Sequence, residues 1–135
     1  MTGDRGAPDG DNSPAPRPAT VVYEVNLDVE AGVIDAYLVW LQAHVAEIRA
    51  LPGFTGAEVF EVVDPVASAG RVALCVQYRL QDATALERYL RDHAPRLRAD
   101  GETRFGGRFN ASRRVLASLA CGGHDRRHSA SEPVP

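Results

Sequence analysis

VVYEVNLDVEAGVIDAYLVWLQAHVAEIRALPGF, residues 21–54, holds two periodicities in succession, and their order decides the fold. Val21 to Val29 alternates: Tyr23, Val25, Leu27 and Val29 share one face, while Glu24, Asn26 and Asp28 share the other. That is the pattern of a strand with one buried side. From Ala31 the period lengthens. Ile34, Leu38, Leu41, Val45 and Ile48 recur every three or four residues, the stripe of a helix spanning Ala31 to Leu51. Pro52-Gly53 then stops the helix and turns the chain.

Downstream, FTGAEVFEVV reads as a second strand, DPVASAG as a hairpin loop and RVALCVQYRL as a third strand. Simple alternation puts Phe54, Phe60 and Val62 on one side of the second strand, and Ala57 and Val59 on the other. Asp82 or Thr84 caps the next helix, with Thr84 and Glu87 at capping-box spacing. Its stripe is Leu86, Leu90, His93 and Leu97, and Pro95 is expected to break or kink it. TRFGGRFNASRRVL forms the last strand, with a bulge or bend at Gly106-Gly107.

The order β-α-β-β-α-β predicts an α+β fold, the ferredoxin-like plait. In it a four-stranded antiparallel sheet carries two helices on one face. The last strand lies beside the first, and the first beside the third. With apolar residues on both faces of the second strand, the uncovered face is expected to pack against a second copy. The product would be a homodimer packed sheet to sheet.

Composition narrows the chemistry. The chain has 135 residues with a net charge of -3, enough for one domain. Residues 1–19 hold four of the nine prolines. They and residues 118–135 read as disordered tails around a domain at 20–117. No apolar run approaches the length of a membrane helix, and no segment resembles a signal peptide, so the expected compartment is cytoplasmic. All 15 basic residues are arginine. Without lysine there is no Schiff-base chemistry and no phosphate-loop lysine. No G-x-S-x-G elbow is present. Residues 88–114 carry eight arginines against three acids, +5 in a chain of net -3. A basic segment of that kind marks an anion site or a surface paired with the chain's own acids. The net acidic balance and the lack of a reading motif argue against nucleic acid as a partner.

Three groups of residues are candidates for function. On the first helix, Tyr37, Trp40 and His44 lie on the flank of the apolar stripe. His44 is either a general base at the mouth of a pocket, with Tyr37 and Trp40 as walls, or part of a helix edge packed on a neighbour. Glu47, three residues on, is placed to hydrogen-bond His44 and raise its pKa. On the second helix, His93 falls within the apolar stripe, or at a helix C-terminus if Pro95 breaks the helix there. On the sheet, Glu24 and Asn26 share a face, and pairing brings Gln77 and Arg114 beside them. That set either orients a polar ligand or forms a satisfied polar layer in the dimer. Cys75 reads as a small buried hydrophobe. Cys121, His124 and His128 have metal-ligand spacing but lie in a short tail, so no metal site is expected. FGGRF lacks the following helix that a phosphate cradle needs.

YEVNLDV, WLQAHVAEIRALPGF, VQYRL and RFNASRRVL, in this order and spacing, resemble the domain of unknown function 4286 family, a group of small bacterial proteins. The resemblance spans residues 21–116 and implies the dimeric α+β barrel fold, with no established activity. That superfamily includes cofactor-independent monooxygenases, haem-degrading enzymes, polyketide cyclases and non-catalytic stress proteins, so it implies no single reaction. By analogy with its haem-degrading members, a histidine on the second helix would point to His93. By analogy with its monooxygenases, a first-strand asparagine would point to Asn26, although alternation turns Asn26 away from the helices. The expectation is a homodimer that binds a small organic ligand, anionic or aromatic, with cofactor-independent chemistry. The competing expectation is a non-catalytic dimerisation module without a ligand pocket.

Overall fold

The computed structural model describes residues 20–119. Strand β1 (Val21–Glu30) passes through a short 3-10 turn (Ala31–Val33) into helix α1 (Ile34–Arg49). Strands β2 (Phe54–Glu61) and β3 (Arg71–Leu80) follow, then helices α2 (Ala83–Asp92) and α3 (Ala94–Phe105) and strand β4 (Phe109–Ala117). The sheet order is β2-β3-β1-β4 and every pair is antiparallel. This is the expected ferredoxin-like plait, with its second helical segment in two pieces. Cys121, His124, His128 and the two expected tails, apart from Ser118 and Leu119, lie outside the described residues, and Ser118 is tied to Thr20, its amide donating to Thr20 O at 2.9 Å. Among those described, no helix is long and apolar enough to cross a membrane.

The alternation of β1 sorts the sheet into two faces. Val21, Tyr23, Leu27 and Val29 join Leu74, Val76, Tyr78 and Leu80 of β3 in a core closed by Tyr37, Leu41, Val45 and Ile48 of α1. Leu86 and Tyr89 of α2 and Leu97 of α3 complete it. The opposite face carries no element of the described chain. Asp82 caps α2, its Oδ1 accepting the Ala85 amide at 2.8 Å. The chain breaks at His93, and Pro95 sits in the first turn of α3, where its missing N–H costs nothing.

Four expectations need correction. Tyr37, not Leu38, opens the buried stripe of α1: Tyr37 is 1 % exposed and Leu38 37 %. The rings of Phe105 and Phe109, centred 5.0 and 5.4 Å from that of Tyr37, reward the rotation, because aromatic clusters bury more apolar area than a leucine. In β2, a register shift between Phe54 and Gly56 puts Phe54 opposite Leu80 and Ala57 opposite Tyr78. Phe54 therefore shares the helix face with Ala57 and Val59, while Phe60, opposite Cys75, faces away from the helices. Residues Thr103–Phe105 belong to α3, not to the last strand. The Gly106 amide still donates to Glu102 O at 2.8 Å, and Gly107, at φ +81°, makes the turn into β4. Finally, Cys75 is half-buried on the uncovered face rather than in the core.

Candidate functional site

A cavity of about 370 Å³ lies between the helix-facing side of the sheet and the helices. Its floor comes from β1 (Tyr23, Val25, Leu27) and β3 (Val76, Tyr78), and its walls from Tyr37, Trp40, Leu41, His44 and Ile48 of α1. Tyr89, Leu97, Arg98 and Glu102 close one side, and Phe109, Ala111 and Arg113 of β4 another. Trp40 is fixed from two directions. Its indole Nε1 donates to Asp100 Oδ2 at 3.0 Å, and Arg104 Nε holds the other oxygen of that carboxylate at 3.1 Å. Gly101 lets the indole lie close against α3, since a Cβ there would come within 3.1 Å of Trp40 Cη2.

His44 stacks on Trp40 with ring centroids 4.4 Å apart. It is half-buried and makes no hydrogen bond to a described residue. The expected His44–Glu47 bond is absent: Glu47 Oε2 instead accepts from Arg96 Nη1 at 3.1 Å. The expected rise in pKa is reversed as well. Burial pushes His44 below its ordinary 6.5 and Arg113 acts in the same direction, against the pull of Glu47 and Asp100. The imidazole is thus held neutral at neutral pH, with its nitrogens uncommitted.

Tyr37, Tyr78 and Tyr89 are 1, 2 and 4 % exposed and all line the cavity. Among the described residues none of their hydroxyls has a hydrogen-bond partner, whereas the Tyr23 hydroxyl accepts from Arg98 Nη2 at 2.9 Å. Burial keeps these phenols protonated, pushing Tyr37 and Tyr89 up to about 12 and Tyr78 further still. Arg113 is paired opposite Val25 and so points to the helix side of the sheet, while Arg114, opposite Glu24, points away. Sequence reasoning missed Arg98, Arg113, Tyr78 and Tyr89. The signal for Arg113 was available: pairing Arg114 with Glu24 commits its neighbour to the opposite face.

The remaining candidates lie elsewhere. Glu24, 3 % exposed, is the hub of a closed cluster on the uncovered face. It accepts from Asn26 Nδ2 at 2.9 Å, Gln77 Nε2 at 3.0 Å and Arg114 Nε at 2.7 Å. The bonds from Arg114 and Asn26 outweigh the cost of burial and hold its carboxyl at about 2. The other three side chains satisfy the Glu24 carboxylate, and none of the four lines the cavity. His93 sits at the C-terminus of α2, its amide donating to Tyr89 O at 2.9 Å, and borders a separate recess with Gln81, Asp82 and Arg88. The structure does not bring it together with His44. Among the described residues no group of His, Cys, Asp or Glu side chains converges as a metal site.

Solved structures share this architecture. Rv0793 from Mycobacterium tuberculosis is 24% identical, with a TM-score of 0.53 over 74% of this chain and 95% of its own. SnoaB, a cofactor-independent oxygenase from Streptomyces nogalater, is 12% identical, with a TM-score of 0.52 over 78% and 99%. A dimeric ferredoxin-like protein from an uncultured marine organism is 10% identical, with a TM-score of 0.52 over 75% and 96%. At these identities the likeness is one of fold. No curated protein sequence matches the chain. The model of the domain of unknown function DUF4286 matches residues 20–119, and the chain belongs to that family.

Proposed function

We propose that the protein is a homodimer whose protomers each bind a small aromatic molecule in the cavity between sheet and helices, where His44 acts as the base of cofactor-independent chemistry. The observation that carries this reading is the position of His44. It is a neutral imidazole without a protein hydrogen-bond partner among the described residues, on the wall of a cavity and stacked against Trp40. A volume of about 370 Å³ is at the lower end of small-molecule pockets, which run from about 300 to 1,000 Å³, and suits one or two fused rings. Tyr37 and Trp40 supply flat apolar walls. A neutral His44 accepts a proton from a phenol or an activated C–H, and the aromatic anion so formed is electron-rich enough to react with dioxygen. The fold shared with a cofactor-independent oxygenase is compatible with such chemistry.

Dimerisation is supported by the sheet. Phe60 is 40 % exposed on the uncovered face opposite half-buried Cys75, and half-buried Val22 and Leu116 pair with each other further along the same face. One structural relative of this plait is itself dimeric. The Glu24 cluster then serves strand register inside the barrel rather than ligand chemistry, because both oxygens of its buried carboxylate are already taken.

A thermal-shift screen against polycyclic phenols and aromatic acids, followed by oxygen-uptake assays of the hits, tests the reading. Wild type is expected to be stabilised by such ligands. His44→Gln is expected to bind them with little change but to lose turnover. The pH profile of wild type should hold its activity below pH 6.5, because burial lowers the pKa of the imidazole. Unchanged turnover in His44→Gln would refute the base, and ligand binding without any turnover in wild type would leave a non-catalytic binding module.

A further inference from the structure

We infer that the cavity selects an aromatic ligand bearing a carboxylate, with the anionic end held by Arg98 and Arg113 and polar ring substituents met by the buried hydroxyls of Tyr37, Tyr78 and Tyr89. This rests on the cavity being a ligand site and names the class of ligand.

The first observation is charge without a partner. Arg71, Arg96, Arg108 and Arg114 each lie against a carboxylate. Arg98 and Arg113 lie against none among the described residues, and both line the cavity. Arg98 donates to the hydroxyl of Tyr23, and Arg113 stands opposite Val25, the next residue of β1 on that face. The two guanidinium groups therefore approach one end of the sheet floor from α3 and from β4. Arg113 shares the lining with Tyr37, His44, Tyr78 and Tyr89. Glu102 is the single carboxylate of the lining. Against two arginines and a neutral imidazole, it leaves the site net positive.

The second observation is independent of charge. Buried hydroxyls are normally hydrogen-bonded. Three phenols, each more than nine-tenths buried, lack partners among the described residues and border the same cavity. An occupant with oxygen substituents satisfies them, and an apolar one does not. A planar carboxylate matches the fork of a guanidinium, and aromatic walls match a flat ring.

The test compares 3-hydroxy-2-naphthoate with its neutral carboxamide by calorimetry at pH 7, using the full chain. Binding is localised by the indole N–H resonance of Trp40, the chain's only tryptophan. The acid is expected to bind about 10-fold more tightly than the amide and to shift the indole resonance, the scale set by a charge-assisted hydrogen bond at a half-open site. Arg98→Gln and Arg113→Gln should each erase most of that preference while leaving the amide's affinity unchanged, and Arg113→Lys should restore part of it. Equal affinity of acid and amide for wild type overturns the carboxylate assignment and leaves the aromatic site standing. So does a loss in the glutamine variants that falls equally on both probes. If neither compound shifts the indole, the ligand-site reading fails together with this one.

Discussion

Replacing Glu24 with glutamine is expected to destabilise the protein by about 2 kcal/mol at pH 7, and the penalty should fade in acid. The carboxyl sits at about 2 in the folded protein against an ordinary 4.5. At 1.36 kcal/mol per pH unit, that difference corresponds to about 3 kcal/mol of preference for the charged form. Arg114, its strongest partner, has a side chain 66% exposed, so solvent screening brings the figure to about 2 kcal/mol. The direction follows from linkage. A carboxylate whose folded pKa is depressed stabilises the protein fully above its unfolded value, here 4.5, and loses that contribution as pH falls towards about 2. Protonated glutamate and glutamine are near equivalents at this position, each with one acceptor oxygen and one donor facing Asn26, Gln77 and Arg114. Urea denaturation followed by Trp40 fluorescence, at one fixed protein concentration because the proposed dimerisation would couple to stability, should show the full gap at pH 7 and 5. Below pH 4.5 the gap should close progressively. A penalty as large at pH 3 as at pH 7, or one under about 0.5 kcal/mol at pH 7, refutes the argument that the charge itself stabilises the fold.

Two further substitutions probe the sheet and its connection to the helices. Phe60→Asp places a charge on the uncovered face, and light scattering should report a dimer for wild type, as proposed, and a monomer for the variant; a dimer that survives would place the interface elsewhere. Gly53→Ala should cost about 3 kcal/mol in chemical denaturation, because backbone strain and a core clash add. Gly53 holds φ +88° after the first helix, and a new Cβ would overlap the Cβ of Ala85. A cost under about 1 kcal/mol would mean that the turn relaxes.

The fold is readable because its main signals are local. Alternation in Val21–Val29, the stripe from Leu41 to Ile48 and the breaks at Pro52-Gly53 and Pro95 each follow from backbone geometry over a few residues. Misreadings arise where a distant contact or an inserted residue resets the phase. The shift in β2 moves Phe54 across the sheet; Gly56 in FTG is a local sign of a bulge, but it does not fix how the phase slips. The rings of Phe105 and Phe109 draw Tyr37 into the core, although an isolated helical wheel places it on the flank. For His44 the sequence pattern conveys the position but not the electrostatics. Glu47 is three residues away in sequence, yet Arg96, from another helix, occupies its carboxylate. Burial then dominates the imidazole, and burial is a property of the assembled cavity rather than of the helix.

Arg113 and Arg114 show how one strand serves two purposes at once. In a strand, consecutive side chains must point to opposite faces, so an Arg-Arg pair cannot form one basic patch. The β1 register makes the division definite: Arg114 meets Glu24 on the uncovered face, and Arg113 meets Val25 beside the cavity. The pair is thus one structural arginine and one left free of any described carboxylate. A slip of β4 by a single residue would break the Glu24–Arg114 pair and turn Arg113 to the uncovered face, away from the cavity. Both costs fall on the same register, so the polar cluster that fixes the sheet also keeps Arg113 in place. It follows that Glu24→Gln, by weakening that pairing, should loosen carboxylate binding in the cavity even though Glu24 does not line it. Carboxylate affinity unchanged in a Glu24→Gln protein that is measurably less stable would separate the two faces and break this link.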